Sequence, residues 1–345
     1  MTRYVIIGAG AVGVTFGAEL HRAGRDVVLA ARGAQLAALR AGTMRYLRPD
    51  GARTLDLPAV GGPGEIDLTS DDVLVLATKT QDAGPAAADW AWRPVRQPDD
   101  SHRTAAASLP VMTLQNGLDA ERTLLRRFAT VLGGVLRVPA TYVRPGEVAS
   151  AGGPAGGVVW LGAYPGPAVP LEHAGLLEGI AADFRAAGFD TQVVPDISRW
   201  KAAKLLASTT FALDALYQPG DLRDRAAALL REEAREILTA AGQPIADMQA
   251  ESTADLTRFG VQPIPGHERG NSSWQSLTRS GSLETDFLTG EIVLTARLIG
   301  RRAPASAAVM ERVHRAQLDG TPARSLGPDD LLELLPQLQA GTLPC

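Results

Sequence analysis

The hydrophobic and polar positions of the first 115 residues alternate between short apolar runs and longer helical stretches. The first run is followed by a helical pattern over 11–22, and polar residues with a helical segment follow the later runs. The apolar runs, rich in β-branched residues, lie at 4–7, 27–31, 73–77 and 111–114. Strands and helices joined by short connections predict an α/β fold with a parallel sheet.

Two segments of the N-terminal half depart from this alternation. Residues 93–103 are polar and contain proline, which predicts an exposed loop insertion. Residues 133–163 show short strand patterns interrupted by Gly and Pro, which predict an antiparallel edge on the parallel sheet. A predicted helix over 172–187 and a predicted strand over 191–194 complete this half.

After Pro195 the pattern becomes helical almost throughout. Gly and Pro signals separate the predicted helices, which are 197–217, 222–241, 245–259, 271–281, 285–300 and 304–318. A strand-rich half followed by a helical half predicts an N-terminal domain over 1–195 and a helical domain over 196–320. The remaining tail, 321–345, contains one short amphipathic piece that we expect to dock weakly or to fray.

Composition and charge narrow the function classes. The 345 residues contain 34 Lys plus Arg and 38 Asp plus Glu, a net charge of -4 without a block of either sign, so we expect neither nucleic acid nor a membrane as partner. Cys345 is the only cysteine, which excludes an internal disulfide. The lack of internal cysteines fits a cytoplasmic, reducing setting. None of the five histidines has a metal-ligand spacing, so we expect no metal site.

A glycine-rich loop follows the first apolar run and precedes the first predicted helix. Its residues are Gly8, Ala9, Gly10, Ala11, Val12 and Gly13. In a dinucleotide-binding G-x-G-x-x-G loop, Gly8 permits the tight turn, Gly10 lets the backbone approach the pyrophosphate, and Gly13 allows close helix packing. A purely structural turn is the alternative, but the strand, helix and second strand occur in the required order and favour binding.

The end of the second predicted strand indicates which dinucleotide is bound. NAD sites usually carry Asp or Glu there to hold the ribose hydroxyls, whereas this chain has Ala30, Ala31 and Arg32. Without that carboxylate nothing repels a 2'-phosphate, and Arg32 can pair with it. The sequence therefore predicts NADP(H), with a solvated Arg32 as the alternative.

Polar side chains also follow the third and fourth apolar runs. Lys79 lies in TKTQD, and Gln115 and Asn116 lie in LQNGL. Because the carboxyl ends of parallel strands meet at the edge where ligands bind, we expect all three residues to line the cofactor side. Each is ordinary by itself, since a lysine after a strand is usually a solvated charge.

Together these motifs resemble the ketopantoate reductase (2-dehydropantoate 2-reductase) family of the 6-phosphogluconate-dehydrogenase-like group, over roughly residues 3–320. The resemblance also includes KLLAS at 204–208, similar to a K-L-x-x-N helix entry. Its most specific part is NSSWQSLTRSGSLETDFLTGEIV at 271–293, which carries matching residues at Ser272, Glu284, Asp286 and Gly290.

The resemblance implies an N-terminal Rossmann domain with a doubly wound sheet, an all-α C-terminal domain, and reduction of a 2-oxo acid by NADPH, with ketopantoate as the default substrate. It implies that Lys204 protonates the ketone oxygen, that Glu284 orients the substrate or that lysine, and that Ser272 and Asn116 contact the substrate. Negative charge builds on the ketone oxygen during reduction, and an ammonium can stabilise and then neutralise it. The neighbouring Lys201 is expected to be solvated, with its stem on an indole.

The chain departs from the family pattern around the proposed substrate. Ser208 and Ala212 stand where the family has asparagines, and Ser276 replaces an aspartate. Ser208 can still hydrogen-bond the substrate, whereas Ala212 cannot. A different oxo acid or an imine is therefore an alternative substrate, and a non-catalytic NADP-binding sensor is an alternative function. A homodimer is expected because two-fold pairs are the commonest oligomers.

Overall fold

The computed structural model describes residues 2–166, 172–268, 270–279 and 281–339, and it divides the chain into two compact units. The first unit comprises 1–115, 120–198 and 248–267, and the second comprises 116–119, 199–247 and 268–345. Both units are thus discontinuous in sequence, whereas the prediction took single boundaries near 195 and 320. Cys345 lies outside the described residues.

Helices and strands account for most of the described chain. The strands are β1 (Arg3–Ile7), β2 (Asp26–Ala30), β3 (Met44–Arg48), β4 (Gly51–Leu55), β5 (Ala59–Val60), β6 (Leu68–Thr69), β7 (Asp72–Leu76), β8 (Pro94–Arg96), β9 (His102–Thr104), β10 (Pro110–Thr113), β11 (Thr130–Arg137), β12 (Ala140–Arg144), β13 (Glu147–Ser150), β14 (Gly152–Pro154), β15 (Gly157–Tyr164), β16 (Phe189–Val193) and β17 (Phe259–Val261). The α-helices are α1 (Ala11–Arg22), α2 (Gly33–Arg40), α3 (Thr80–Ala91), α4 (Ala105–Ser108), α5 (Asp119–Leu125), α6 (Glu172–Ala186), α7 (Ile197–Ser208), α8 (Phe211–Leu216), α9 (Asp221–Ala240), α10 (Ser272–Thr278), α11 (Thr289–Leu298), α12 (Pro304–Leu318) and α13 (Pro328–Gln339). Short 3-10 turns lie at Pro63–Glu65, Leu256–Arg258 and Thr285–Phe287.

An eight-stranded sheet forms the centre of the first unit, in the order β16-β15-β11-β10-β7-β1-β2-β5. The six strands from β11 to β5 run parallel, β15 is antiparallel to β11, and β16 is parallel to β15. The predicted α/β class and the predicted antiparallel edge are therefore confirmed. Chain order reverses between β1 and β7, which is the kind of position where doubly wound sheets bind ligands.

The register aligns the carboxyl ends of the central strands. Ile7 pairs with Ala30 on one side and with Leu76 on the other, and Leu76 pairs with Thr113. The residues that follow β1, β2, β7 and β10 therefore leave the sheet at one edge.

Both faces of this sheet are covered, because successive strand residues point to opposite sides. Along β1, Tyr4 and Ile6 pack into a core that includes the stacked rings of Phe16 and Phe189, whose centroids lie 4.4 Å apart. Val5 packs into the second core, under α3 and α4. Burial on both sides explains the continuous apolar runs of the strands.

The segment predicted as an exposed loop insertion, 93–103, is instead a structured hairpin. Its strands β8 and β9 pair with each other, and β8 also pairs with β6 in a three-stranded sheet. Val95 is fully buried and anchors this hairpin in the core beneath α3. The predicted exposure is confirmed for most of the segment, but the absence of strands was wrong, because the sequence does not show that the buried Val95 fixes a hairpin here.

The predicted helix over 245–259 is also wrong. The structure has turns there, then the 3-10 turn at Leu256–Arg258 and strand β17, which pairs with β14 in the first unit. Side chains of the first unit accept the local backbone N–H groups: Gln192 accepts from Thr253 N at 2.9 Å, and Asp190 accepts from Asp255 N at 2.8 Å. Such side-chain acceptors compete with the hydrogen bonds of a helix.

In the second unit the described residues form helices and turns. The predicted helix 197–217 is broken into α7 and α8, because the hydroxyls of Thr209 and Thr210 bond back to the carbonyls of Leu206 and Ala207 at the end of α7. Helix α12 is capped by the buried Glu233 of α9, whose carboxylate accepts the N–H groups of two residues in the first turn at 2.8 Å each.

Of the two outcomes expected for the tail, docking or fraying, the part described up to residue 339 shows docking, because α13 contributes to a core. Leu331, Leu334 and Leu335 are buried beside Tyr217 and helices α9 and α12. A parallel bridge between Tyr217 and Leu326 fixes the chain just before α13. Among the described residues, no helix is long and apolar enough to cross a membrane.

Candidate functional site

The three glycines of the loop after β1 serve different steric purposes. Gly8 has a φ of +110°, and a Cβ there would lie 2.8 Å from Thr78 N. A Cβ on Gly13 would lie 1.9 Å from Gly8 O, so the first turn of α1 packs directly on the loop. Around the Cβ position of Gly10, the described chain places no heavy atom within 4 Å, apart from Gly10, its immediate chain neighbours and the nearby helix backbone. Gly8 and Gly13 are therefore required by the fold, while Gly10 leaves open space above the backbone.

This open space lies at the N-terminus of α1, where a dinucleotide phosphate fits. Gly10 is the N-cap and has no capping side chain, and the first backbone bond of the helix runs from Val14 N to Gly10 O at 3.0 Å. The N–H groups before Val14 point out of the helix and can hold an anion. The buried Thr78 hydroxyl, which follows β7, has no hydrogen-bond partner among the described residues. The residues present thus fit a nucleotide cofactor.

Arg32 lies two residues beyond β2, as predicted, and is the N-cap of α2. Its side chain is 81% exposed, and its Nη2 lies 3.1 Å from Oδ2 of Asp89 on α3. The expected position at the strand end is therefore occupied by a guanidinium that already has a carboxylate neighbour. Sequence reasoning missed Asp89, because α3 is distant from β2 along the chain.

Lys79 and Gln115 follow β7 and β10 in the first unit. Lys79 is half-buried and is the N-cap of α3. Gln115 is buried, and its amide donates to the carbonyls of Leu76 and Thr78 at 3.0 and 2.9 Å while its oxygen accepts Leu114 N. Gln115 thus holds the ends of β7 and β10 together. Through these bonds it also fixes the position of Thr78, which follows β7.

Lys204 lies half-buried on α7 in the second unit. Its Nζ is 5.7 Å from the centroid of the Phe211 ring, close enough for a cation–π contact. One turn later, the buried Ser208 donates its hydroxyl to the Lys204 carbonyl at 3.0 Å. The Ser208 oxygen can still accept a hydrogen bond, but its proton is committed to the helix backbone. Ala212 is buried in the core around α8.

The sequence contains only three lysines, and all other basic residues apart from histidine are arginines. The lysines are Lys79, Lys201 and Lys204, so two of them lie within one turn of α7. The expectation that Lys201 is solvated is wrong, since it is only 3% exposed and Trp200 beside it is buried. The side of α7 that carries Trp200 and Lys201 is buried. The sequence did not reveal this, because polar and apolar residues are mixed along the helix.

Ser272 begins α10, and the preceding Asn271 ties this helix to α8. The Asn271 oxygen accepts Trp274 N at 2.9 Å, and its Nδ2 donates to Phe211 O at 3.1 Å and to Asp214 Oδ2 at 3.2 Å. Phe211 thus contacts both Lys204, through its ring, and the start of α10, through its carbonyl. Sequence reasoning missed Asn271, although an asparagine before a helix is a typical N-cap signal.

Glu284 immediately precedes the 3-10 turn at Thr285–Phe287, against which Gly117, the residue after Asn116, packs. Gly117 has a φ of +85°, and a Cβ there would be 2.5 Å from Phe287 O. Thr289, just after this turn, donates its hydroxyl to Thr209 O at the end of α7, at 3.3 Å. The second unit therefore brings the Glu284 turn together with the Asn116 segment and with the end of the lysine-bearing helix.

Two other matching residues of the C-terminal motif have structural contacts. The exposed Asp286 lies 2.8 Å from Nε2 of His314 on α12. A Cβ on Gly290 would be 3.1 Å from Sδ of Met310, so α11 and α12 pack closely there. No group of three His, Cys, Asp or Glu residues in the described chain is arranged to hold a metal ion.

Similarity to known proteins covers both units. A family model described as ketopantoate reductase PanE/ApbA matches residues 4–166. A curated 2-dehydropantoate 2-reductase of Pyrococcus horikoshii is 24% identical over 87% of this chain and 92% of its own length. The corresponding protein of Archaeoglobus fulgidus is 29% identical over 84% of this chain and 90% of its own length.

Solved structures share the fold. A PanE/ApbA family ketopantoate reductase from Ralstonia eutropha superposes with a TM-score of 0.71 at 24% identity, covering 92% of this chain and 99% of its own. The ternary structure of a D-mandelate dehydrogenase with NADH and anilino(oxo)acetate gives a TM-score of 0.74 at 18% identity over the same shares.

Proposed function

We propose that this oxidoreductase of the ketopantoate reductase family uses NADPH to reduce a 2-oxo acid to the 2-hydroxy acid, with ketopantoate as the default substrate. The observation that carries the proposal is the arrangement in the second unit, where a half-buried Lys204, the start of α10 and the Glu284 turn are linked through Phe211 and Thr289. Lysine is rare in this chain, so its use at this position favours a chemical role.

The reaction needs a proton at the ketone oxygen. The nicotinamide cofactor, when bound, supplies the hydride. The Lys204 ammonium stabilises the negative charge that develops on that oxygen and then transfers a proton to it. An arginine is effectively always protonated and would provide only the charge. Glu284 orients the lysine or the substrate, which requires a charged carboxylate in reach of its donors.

Three further side chains complete the proposed substrate contacts. Ser272 and Asn116 offer a hydroxyl and an amide, and the Ser208 oxygen accepts a hydrogen bond from a substrate hydroxyl. The buried methyl group of Ala212 leaves one substrate polar group without a protein partner, at a cost of about 1–3 kcal/mol. An oxo acid with fewer hydroxyls than ketopantoate, or an imine, is therefore the competing substrate.

NADPH is the proposed reductant because Arg32 follows β2 where NAD sites carry a carboxylate. Gly10, together with Ala9, Ala11 and Val12, would hold the pyrophosphate at the N-terminus of α1. Lys79 supplies a further positive charge, and Gln115 positions the strand ends. NADH is the competing reductant, since a structural neighbour was solved with NADH.

The decisive experiment follows NADPH oxidation by the purified protein against a panel of 2-oxo acids and cyclic imines. For the best substrate, Lys204→Ala should lower kcat about 10²- to 10⁴-fold while nucleotide affinity changes little. Lys204→Arg should also stay slow, because it restores the charge without the transferable proton. Equal turnover in wild type and Lys204→Ala would refute the role of Lys204, and intact nucleotide binding without any turnover would support a sensor.

We extend the proposal to a homodimer in the cytoplasm. Leu294 and Leu298 lie one turn apart on α11 and are 45% and 75% exposed, so they offer an apolar surface that a second copy would cover. Light scattering of the purified protein, with Leu298→Glu for comparison, tests this assembly.

A further inference from the structure

The guanidinium of Arg32 is paired with a carboxylate that comes from a different element. Asp89 lies near the end of α3, and its Oδ2 is 3.1 Å from Nη2 of Arg32. Arg93 Nε donates to the backbone carbonyl of Asp89 at 3.2 Å, which fixes that end of the helix. The two side chains are 81% and 53% exposed, so a ligand can reach both.

An exposed ion pair of this kind contributes little to stability, because water and salt screen it. The ion pair should have a larger effect on the affinity of a ligand that binds the same guanidinium. A 2'-phosphate carries more than one negative charge, so it competes with Asp89 for Arg32 and is repelled by the carboxylate. The ribose hydroxyls of NADH are instead hydrogen-bond donors that a carboxylate can accept.

We propose that Asp89 is a specificity-determining residue for the cofactor. It supplies from α3 the carboxylate that NAD sites carry at the end of the second strand. By competing with the 2'-phosphate for Arg32, it weakens the preference for NADPH and leaves NADH a usable reductant. This inference rests on the proposed use of a nicotinamide cofactor, but not on the identity of the oxo acid.

The test compares wild type with the isosteric variant Asp89→Asn. Calorimetry with adenosine 2',5'-bisphosphate and with 5'-AMP measures the contribution of the 2'-phosphate without any turnover. The affinity ratio should rise about 5-fold in Asp89→Asn, and the ratio of kcat/KM for NADPH over NADH should rise equally. The matched control is Asp26→Asn, which removes the same charge from an exposed residue at the other end of β2.

A second pair of variants tests whether the effect passes through Arg32. Arg32→Ala should lower the affinity ratio, and adding Asp89→Asn to it should then raise the ratio by clearly less than 5-fold, because only the direct repulsion between the carboxylate and the 2'-phosphate is left to remove. An unchanged ratio in Asp89→Asn, an equal rise in Asp26→Asn, or a full 5-fold rise in the double variant would overturn the proposal. A shift in calorimetry without turnover of any oxo acid would support Asp89 and reject the proposed reaction.

Discussion

At the scale of single residues, the space around the Cβ position of each loop glycine shows whether the fold requires a glycine there. Gly8 and Gly13 are needed because backbone atoms occupy the space where a side chain would lie. Gly10 has open space at that position, so the fold itself does not require a glycine there. The G-x-G-x-x-G pattern predicted this division, with the tight turn at Gly8, helix packing at Gly13 and the approach to a pyrophosphate at Gly10.

Substitution by alanine should therefore have opposite consequences at two of these glycines. Gly13→Ala places a Cβ against Gly8 O and should lower the free energy of unfolding by about 1–3 kcal/mol or more. Gly10→Ala should change it by less than about 1 kcal/mol, because φ at this N-cap suits alanine. Nucleotide affinity of Gly10→Ala should nevertheless fall about 10-fold, since a methyl group would occupy the approach to the phosphates.

Urea unfolding and nucleotide titration of both variants check this prediction. Each variant serves as the control for the other, because both add one methyl group to the same loop. Full nucleotide affinity in Gly10→Ala would show that the loop is only a structural turn.

Candidate site residues could be predicted from the sequence where they belong to a motif. Their burial and their partners could not, because these depend on packing against distant residues. Lys204 was singled out by the residues that follow it, but the burial of Lys201 was not foreseen, since both lysines lie in one apolar helix. The amide of Asn271 and the carboxylate of Asp89 were also missed. Each acts on a residue far away in the chain, which spacing along the sequence cannot reveal.

At the scale of elements, strong periodicity predicted the structure well and weak periodicity did not. The parallel strands were found because burial on both faces gives them continuous apolar runs. Helices such as α1 and α9 were found because their buried positions repeat with the helical period. The hairpin of β3 and β4 was missed, and 245–259 was assigned the wrong structure. Side-chain acceptors at Asp190 and Gln192 determine the backbone of the latter segment.

Helix α13 offers a direct test of how firmly the C-terminal segment is packed. Leu331 is 2% exposed and lies in the core of the second unit, whereas its neighbour Leu332 is 53% exposed. Leu331→Ala should lower the free energy of unfolding by about 2–4 kcal/mol. Leu332→Ala removes the same atoms from the surface and should change it by less than about 0.5 kcal/mol.

Denaturant unfolding followed by circular dichroism distinguishes the two variants. A small, equal effect of both substitutions would mean that the segment frays in solution, which was the other outcome expected from its sequence.

At the scale of the whole molecule, the predicted family resemblance is confirmed, and the two units contribute to it differently. The family model covers residues 4–166, and the curated relatives extend the similarity to more than four fifths of the chain. The departures at Ser208, Ala212 and Ser276 all lie in the second unit. If the proposed function holds, substrate choice has changed more than cofactor use, because the loop after β1 keeps all three glycines of the G-x-G-x-x-G pattern.

Buried tyrosines in both units should make the free energy of unfolding depend on pH in the alkaline range. Burial, with a hydrogen bond to Asp183, raises the pKa of Tyr4. Burial, with the nearby Glu19 carboxylate, raises the pKa of Tyr46. Burial also raises the pKa of Tyr217 in the second unit. These phenols therefore stay protonated in the folded chain at a pH where tyrosines of the unfolded chain, with a pKa of about 10, lose their protons.

The sign of the pH dependence follows from this difference. Below about pH 10 both states keep the phenolic protons, and the contribution to stability is complete. Above it the unfolded state binds fewer protons, so the free energy of unfolding should fall as the pH rises towards the raised pKa values. Urea unfolding at a series of pH values should show this loss, and Tyr46→Phe should make the slope shallower even though it removes the bond to Glu19. An unchanged slope in Tyr46→Phe would mean that Tyr46 ionises in the folded chain as readily as in water.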